Sequence, residues 1–312
     1  MAKLVGGFRV PRQMLKAQEY QGHLSIHDDK MAEDLGFSGA PIEGPTHFSQ
    51  FVPLLHQTFG NAWFERGCMS AHYQNMVVEG EEVGVFVDVS EQDLLGGHPV
   101  IAEISAAKRD GTPVLTGTAS LGPDYGHTEI TKRLERLRPT EKLVILSDLV
   151  VGQKGACDPV PVTMTFDQIM GPLYPFSLKS KLDVITENHP FYQGNDNPWG
   201  RPIIPIEMIS VLTQYTSENS GFRGRGPAVG LFAGQEIKLM KGPLFVDHPY
   251  VITREIIALS ESRRTESNWV KTRVFDATTD ELVAEAILNS ATLKDSYANY
   301  ADDAAALGKR LL

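Results

Sequence analysis

Cysteine is scarce in this sequence of 312 residues, which contains only Cys68 and Cys157. Two thiols are too few for a disulfide framework or for a zinc site built from cysteines. A reducing compartment, the cytoplasm, is therefore the expected location. Long apolar runs are also missing, since no stretch of about 18 apolar residues occurs. We therefore expect no transmembrane helix and no membrane partner.

Basic residues are outnumbered by acidic ones. The sequence has 29 Lys and Arg residues against 39 Asp and Glu residues, which gives a formal net charge of −10. Because binding to a nucleic acid backbone needs a basic surface, this balance argues against nucleic acid as a partner. It is compatible with a local basic patch that binds one phosphorylated small molecule.

Several motifs that mark metal, nucleotide or nucleophile sites are absent. The sequence contains no His-Glu-x-x-His, no Gly-x-Gly-x-x-Gly, no P-loop and no Gly-x-Ser-x-Gly. We therefore expect no metal and no cofactor. The glycine-rich segment 221–226 follows a helical pattern, and we interpret it as the exit loop of that helix. A phosphate-binding loop is the alternative interpretation.

The two halves of the chain carry matching segments. With 42% hydrophobic and 22% charged residues, the chain is expected to fold, and its length corresponds to about two domains. The first half reads Gly-Ala-Pro-Ile over 39–42, and the second reads Gly-Arg-Pro-Ile over 200–203. An apolar stretch at helical spacing follows each, from Pro45 to Phe59 and from Pro205 to Ser217.

Strand-like runs follow both predicted helices at similar spacing. They are predicted over 82–89, 99–108 and 114–121 in the first half and over 250–257, 269–275 and 282–293 in the second. Asp-Gly at 110–111 predicts a hairpin turn between two of them. The apolar run 143–151 is a candidate for the first strand of the second half.

These patterns predict an α+β fold made of two repeats, each a long helix wrapped by a curved antiparallel sheet. We expect an N-terminal repeat over residues 1–140 and a C-terminal repeat over residues 141–297. Residues 298–312 are expected to form a tail with a short helix. Two unrelated α+β domains are the alternative, and the near-constant spacing of the matching landmarks favours a duplication.

The duplicated architecture resembles the double hotdog fold, and the segments before the helices resemble the MaoC-like hydratase/dehydratase family. That family carries a Gly-Asp-x-Asn-Pro-x-His segment, followed by a Gly-Arg-Pro-Ile turn into the hotdog helix. The second half reads Thr-Glu-Asn-His-Pro-Phe-Tyr over 186–192, and the first half reads Leu-Ser-Ile-His-Asp-Asp over 24–29. The resemblance covers nearly the whole chain as architecture and part of the catalytic motif.

The resemblance implies reversible addition of water to a 2-enoyl thioester, so that an enoyl and a 3-hydroxyacyl thioester interconvert. It places Glu187 at the family's Asp position and both Tyr192 and His27 at its His position. We predict Glu187 as base and Tyr192 as proton donor, with His27 and its neighbour Asp28 as further catalytic residues. His47, in the first turn of the first helix, is predicted to lie beside an oxyanion hole of backbone N–H groups.

The partner implied by the resemblance is a small acyl thioester, with coenzyme A as the thiol, and the loop 221–226 is a candidate for binding its phosphate. A homodimer is also expected. Three residues beside the catalytic positions and at the two helix starts are predicted to bind the substrate: His189, Gly44 and Pro205. The active site is expected between the halves, where a helix start meets the opposite loop.

The candidates of the second half also have structural interpretations. Glu187 can be a solvated loop acid, and Tyr192 can pack as an aromatic side chain over the helix. His189 can hydrogen-bond the loop backbone or face solvent.

The same holds for the first half. His27 and Asp28 can belong to a surface turn whose carboxylates cap a following helix. His47 can be a half-buried histidine with its hydrogen bonds satisfied.

A hydro-lyase is the leading functional hypothesis, and three alternatives stay open. A hotdog acyl-thioesterase would use Glu207 or Glu43 to activate water against the thioester carbonyl. A diverged hotdog protein would bind an acyl ligand without catalysis. Hydration or isomerisation of a substrate that is not a thioester is the third alternative.

Overall fold

A computed structural model describes residues 2–20, 23–89, 101–140, 142–158 and 160–309. In this part of the chain nine strands form one antiparallel sheet, and β2 and β3 form a separate pair. The strands are β1 (Ala2–Val5), β2 (Glu19–Tyr20), β3 (His23–Leu24), β4 (Gly67–Tyr73), β5 (Val83–Val89), β6 (Ile101–Lys108), β7 (Pro113–Leu121), β8 (Gly230–Leu239), β9 (Tyr250–Glu261), β10 (Thr265–Asp276) and β11 (Leu282–Leu293).

The helices are mostly short, and two of them are central. The α-helices are α1 (Asp29–Asp34), α2 (Phe48–Phe59), α3 (Ala62–Arg66), α4 (Glu129–Glu135), α5 (Leu178–Leu182), α6 (Ile206–Gln214) and α7 (Tyr300–Ala306). Among the described residues, four 3-10 turns accompany them: Gly44–His47, Pro190–Tyr192, Ser217–Ser220 and Lys294–Ser296. The predicted tail helix is confirmed as α7, whereas residues 310–312 lie outside the described part of the chain.

The sheet repeats the same strand order outward from its centre. From the central pair, β4, β7, β6 and β5 follow one another on one side, and β8, β11, β10 and β9 do so on the other. The two halves join through antiparallel pairing of β4 with β8, with Cys68 opposite Lys238 and His72 opposite Gly234. We call the strands of the first side with α2 the first unit, and those of the second side with α6 the second unit.

The two central helices pack their apolar side chains into the core, although each also carries polar residues. Phe48, Phe51 and Leu55 of α2 have no exposed surface, and every residue of α6 is buried. Both helices belong to one hydrophobic core with the inward-facing side chains of the sheet, such as Met69 and Ala71. Fully burying such a side chain contributes about 1.5–3 kcal/mol, so this core holds the two units together.

The opposite face of the sheet is covered at its centre by α4. Successive strand residues point to opposite faces, so Ser70 faces away from the core that contains Met69 and Ala71. The Ser70 hydroxyl accepts a hydrogen bond from the Ile130 N–H at 2.9 Å, and Ile130 packs with Trp269 and Ile287.

The chain enters the two central helices in matching ways. The Ile42 N–H donates to the Val77 carbonyl at 2.7 Å, and the Ile204 N–H donates to the Leu244 carbonyl at 2.8 Å. The residues before the helical turns, Glu43 (φ −60°, ψ 133°) and Pro205 (φ −57°, ψ 148°), have matching backbone angles. The structural repeat therefore pairs Ile42 with Ile204, one residue later than the sequence match of 39–42 with 200–203.

Most predicted strands agree with the structure, and one does not. β11 spans Leu282–Leu293 as predicted, and Gly111 turns between β6 and β7 at a φ of 89°. Residues 99 and 100 of one predicted strand lie outside the described part of the chain. The candidate strand at 143–151 is wrong, because this segment forms turns whose Val144 and Leu146 N–H groups donate to the Glu266 carboxylate. Among the described residues, no helix combines the length and apolar character needed to cross a membrane.

Candidate functional site

A cavity of about 460 Å³ lies between the two units. One wall comes from the loop 41–47 that leads into α2, together with His27. A second wall comes from the end of β4 and the residues after it, and a third comes from Tyr174 and from residues 230–233 of β8 in the second unit. Ligand sites of small molecules commonly have volumes of about 300–1,000 Å³, so the cavity has the size of a substrate site.

His27 lines this cavity, and one of its ring nitrogens has a fixed hydrogen-bond partner. Its Nδ1 lies 2.7 Å from the Pro41 carbonyl oxygen, which can only accept, so Nδ1 carries the hydrogen and Nε2 has a lone pair. Burial lowers the pKa of His27 to about 4, although the hydrogen bond to Pro41 opposes this shift. His27 is therefore neutral near pH 7 and can accept a hydrogen bond at Nε2.

His47 is held in the same tautomer by a different partner. Gln50 Nε2 donates to the Val83 carbonyl at 3.1 Å, so Gln50 Oε1 is the atom that faces His47 Nδ1 at 3.3 Å. Nδ1 therefore donates, and Nε2 again has the lone pair. Burial lowers the pKa of His47 to about 4, and the charge of Lys181 lowers it further.

A carboxyl group and two phenols complete the polar wall. Glu43 lines the cavity, and its Oε1 accepts a hydrogen bond from the Tyr174 hydroxyl at 3.0 Å. Burial raises the pKa of Glu43 to about 7. The Tyr73 ring lies against Gly44, where a Cβ atom would be 2.5 Å from the Tyr73 Cζ, so only glycine fits under this ring. The buried Tyr73 hydroxyl makes no hydrogen bond within the described structure.

The corresponding space at the start of α6 is filled. A gap of about 20 Å³ remains there, lined by apolar side chains that include Ile204, Ile206 and Leu244. Ile204 and Leu244 match Ile42 and Val77 of the open cavity, and Ile206 takes the place of Gly44. Such a gap holds about one water molecule, so it cannot admit a substrate.

Tyr192 lies at this filled gap. It is 1% exposed, and its hydroxyl makes no hydrogen bond within the described structure. Burial raises the pKa of Tyr192 far above its ordinary value, which makes the phenol a poor proton donor at neutral pH. The structure therefore places Tyr192 as an aromatic side chain that packs over the helix.

Glu187 and His189 also lie away from the open cavity. Glu187 Oε1 is 2.7 Å from Arg9 Nε in a partly exposed ion pair. The His189 Nδ1 accepts from the Phe191 N–H at 3.2 Å, and its ring packs against Phe64 and Phe191. The structure therefore does not join Glu187 with Tyr192 as a catalytic pair, because one is at the surface and the other is enclosed by apolar side chains.

Two further predicted residues have structural roles at helix ends. Asp28 caps α1, since its Oδ1 accepts a hydrogen bond from the Met31 N–H at 2.9 Å. Pro205 precedes α6 with a backbone that any proline adopts readily. Of the eight predicted site residues, the structure brings three to the open cavity: His27, Gly44 and His47.

Tyr73 and Tyr174 are not among the residues predicted from sequence, and Glu43 is predicted only as the water-activating residue of a thioesterase. Tyr73 ends a strand and Tyr174 lies in a segment without periodicity, so no local pattern marks either residue. Only the position of Glu43 directly before a helix, in the repeated segment, was a usable signal. Within the described residues, no group of three His, Cys, Asp or Glu side chains is placed to hold a metal ion.

Comparisons with known proteins give a fold and no close relative. No family model and no curated protein matches the sequence. A conserved hypothetical protein from Mycobacterium tuberculosis, described as having a double hotdog fold, is similar in structure with a TM-score of 0.58 and 8% identity. The match covers 94% of this chain and 96% of that one. The chain has the double hotdog fold.

MaoC domain proteins are further structural neighbours of this double hotdog. One from Chloroflexus aurantiacus, described as a dehydratase, has a TM-score of 0.54 and 13% identity and covers 94% of both chains. A MaoC-like dehydratase has a TM-score of 0.50 and 13% identity, with 85% of this chain and 88% of that chain covered. The predicted α+β double hotdog and its resemblance to MaoC-like proteins are thereby confirmed as a likeness of fold.

Proposed function

We propose that this double hotdog protein is a hydro-lyase that interconverts an enoyl thioester and a 3-hydroxyacyl thioester. The observation that carries the proposal is the cavity between the units, where two neutral histidines face the start of a buried helix. A hydration site must hold water as well as the thioester, and the cavity offers hydrogen-bond acceptors and donors for both. The structural likeness to MaoC-like dehydratases supports the reaction class by analogy of fold.

The two histidines suit the water-binding part of this reaction. Each has an Nε2 lone pair whose direction is fixed by the hydrogen bond that its Nδ1 makes, His27 to Pro41 and His47 to Gln50. A water molecule that donates to Nε2 would have its own lone pair free to attack the β-carbon. Because the pKa of both imidazoles is lowered to about 4, these acceptors stay unprotonated across the neutral range.

The thioester carbonyl needs partners as negative charge builds up on its oxygen. We propose that the Gly44 N–H, at the start of the turn that runs directly into α2, faces this oxygen, because Pro45 has no N–H and the Thr46 N–H donates to the Glu43 carbonyl at 3.0 Å. Donors placed where charge develops are worth about 2.7–4 kcal/mol each in acyl-transfer enzymes.

The mouth of the cavity suits a phosphorylated thiol. In the described part of the chain, no lysine or arginine lines the cavity, so its interior favours an uncharged acyl group. Phe222 and Gly224 of the loop 221–226 line it, and the exposed Arg223 lies between them. We propose that Arg223 attracts a phosphate of coenzyme A outside the cavity.

The test supplies crotonyl-coenzyme A and longer enoyl esters and follows the loss of the conjugated-thioester absorbance. We expect turnover with at least one chain length, without release of free thiol. Lack of activity across all chain lengths would contradict the proposal. Binding without turnover would identify the diverged, non-catalytic alternative.

A thioesterase is the second candidate, and the carboxyl group of Glu43 in the cavity is the observation that favours it. A carboxylate beside a thioester can activate water against the carbonyl carbon. Release of free thiol with the acyl double bond intact would identify this reaction. The same assay therefore separates the two functions.

The expected homodimer and cytoplasmic location stay predictions. Sedimentation of the purified chain tests the first, since a monomer mass would contradict it. Fractionation of cells that produce the protein tests the second.

A further inference from the structure

Glu43 is the one carboxyl group among the described residues that line the open cavity. It directly precedes the helical turn Gly44–His47, and its carbonyl accepts a hydrogen bond from the Thr46 N–H at 3.0 Å. Tyr174, which belongs to the second half of the chain, donates to its Oε1 at 3.0 Å. The carboxyl group is therefore positioned by both halves, as a side chain with a role in the site would be.

The filled site lacks this group. Pro205 stands where the open site has Glu43, with nearly the same backbone angles, and Ile206, which lines the remaining gap, stands where the open site has Gly44. The carboxyl group and the open space thus occur together in one unit and are both missing from the other.

The two histidines leave one requirement of the reaction unmet. Hydration needs a group that takes a proton from water and gives a proton to the α-carbon of the thioester. His27 and His47 hold their Nδ1 hydrogens in fixed bonds, and their Nε2 atoms lie in an environment that disfavours the imidazolium form. They can orient water, but they are poor proton carriers at neutral pH.

We propose that Glu43 is the acid–base residue that carries this proton, a role that rests on the hydro-lyase function proposed above. The ionised carboxylate takes a proton from water while the water oxygen bonds to the β-carbon. The C=C electron pair moves to the α-carbon as an enolate, whose oxygen faces the helix start. Glu43 then returns the proton to the α-carbon. Dehydration is the reverse sequence, and the residue ends each cycle as it began.

The surroundings of Glu43 bring its titration to the working pH. Burial raises its pKa to about 7, which the charge of Glu207 supports. The Tyr174 hydrogen bond and the charge of Lys181, whose Nζ lies 3.2 Å from Glu207 Oε1, lower it. Tyr73 also faces Glu43, and it is uncharged because the pKa of its phenol is raised well above the ordinary value. A proton carrier is most effective when its pKa is near the pH of operation.

Substitution of Glu43 tests the role directly. In Glu43→Gln, which keeps the shape and the acceptor for Tyr174, we expect kcat to fall by about 100-fold or more with little change in KM. Glu43→Asp, which keeps the acid, is expected to retain part of the activity. Glu33→Gln, an exposed glutamate of α1, is the matched control and is expected to match the wild type.

Two variants that leave Glu43 in place are expected to move the pH profile in opposite directions. Because ionised Glu43 starts the hydration, kcat/KM rises with pH through its pKa. Tyr174→Phe removes a hydrogen bond that lowers this pKa, so the acid limb moves to higher pH. Glu207→Gln removes a charge that raises it, so the limb moves to lower pH. Circular dichroism checks that both variants fold.

The outcomes separate this inference from the function on which it rests. If the wild type hydrates an enoyl thioester but Glu43→Gln keeps its kcat, or neither profile moves, the role of Glu43 is overturned alone. If the wild type is inactive on every enoyl thioester, both proposals are overturned. Loss of kcat in Glu43→Gln together with opposite shifts of the acid limb supports the role.

Discussion

The two helix starts of this protein share a backbone and differ in what their side chains leave open. Ile42 and Ile204 make matching hydrogen bonds to the carbonyls of Val77 and Leu244, and Glu43 and Pro205 have the same extended conformation. One start opens into a cavity of about 460 Å³, and the other leaves a gap of about 20 Å³. The backbone of the repeat therefore permits a site without requiring one.

Side-chain packing explains why the space at the start of α6 is filled. Ile206 is buried at the second start, where burial of an isoleucine contributes about 1.5–3 kcal/mol. Gly44 at the first start contributes no such burial, and the Tyr73 ring lies against it. We therefore expect the second helix start to contribute to stability and the first to carry groups that act on a ligand.

The largest contrast is expected between His27 and Tyr192, which line the open and the filled space. Loss of the His27 Nε2 acceptor in His27→Ala should lower kcat/KM for enoyl thioester hydration by about 100-fold, because the attacking water is no longer oriented. Tyr192→Phe should leave the rate unchanged and should not destabilise the protein, since the lost hydroxyl has no hydrogen-bond partner in the described structure.

His27→Asn serves as the control for structure. The amide can still donate to the Pro41 carbonyl but offers no acceptor at the Nε2 position. Activity of this variant near the wild-type level would show that His27 acts through its bond to Pro41 alone.

An alanine at either helix start should have opposite consequences. In Gly44→Ala the new methyl group meets the Tyr73 ring, and a displaced cavity wall can cost about 100-fold in kcat/KM. In Ile206→Ala the lost side chain should reduce the free energy of unfolding by about 2–5 kcal/mol and leave the rate nearly intact. Urea unfolding and the hydration assay on both variants measure this contrast.

If Gly44→Ala unfolds the protein while keeping the rate of its folded fraction, the assignment of the open site to the first unit is contradicted. The same holds if Ile206→Ala loses activity without loss of stability.

The buried histidine of the first start should also give the protein a pH-dependent stability. The pKa of His47 falls from an ordinary value near 6.5 in the unfolded chain to about 4 in the folded state. As pH falls through this window the unfolded state binds more protons, so stability decreases between about pH 6.5 and pH 4. His47→Met should remove up to about 3 kcal/mol of this dependence.

Urea unfolding of the wild type and of His47→Met at pH 7.5 and 4.5 measures this difference. Because other groups titrate equally in both proteins, only the difference between them reports on His47. Identical pH dependence in the two proteins would mean that His47 is not buried in its neutral form.

The smallest effect is expected at the mouth of the cavity. Arg223→Ala should raise KM for a coenzyme A thioester by a few-fold, roughly the value of one exposed charge contact. The effect should vanish for a pantetheine thioester without phosphates. Arg263→Ala, an exposed arginine of the second unit on the turn between β9 and β10, is the matched control. An equal change of KM for both thioesters would contradict a phosphate contact at Arg223.

The fold was predictable because its information is local and repeated. Hydrophobic periodicity marks the helices and strands, and the segments 39–42 and 200–203 show that the pattern occurs twice. Where a neighbour decides the conformation, the sequence misled: the apolar run 143–151 forms turns because the carboxylate of Glu266, more than 100 residues away, binds its backbone.

The site was predictable only in part, because its location depends on which of the two helix starts has its neighbouring space filled by side chains. The motif of the MaoC-like family aligns with both His27 and Tyr192, and only packing around Ile206 shows that the space beside Tyr192 is filled. Tyr174 reaches Glu43 from 131 residues away, a distance along the chain that no motif reports. Helix capping, by contrast, could be predicted from the local sequence. Asp28 caps α1, as expected for a carboxylate in the turn before a helix.

A crystal structure with a non-reactive thioether analogue of a 3-hydroxyacyl-coenzyme A tests the central claim most directly. The account predicts the acyl group in the cavity beside His27, His47 and Glu43, with the phosphates outside near Arg223. An acyl group bound beside Tyr192 and Ile206, or outside both spaces, would contradict it.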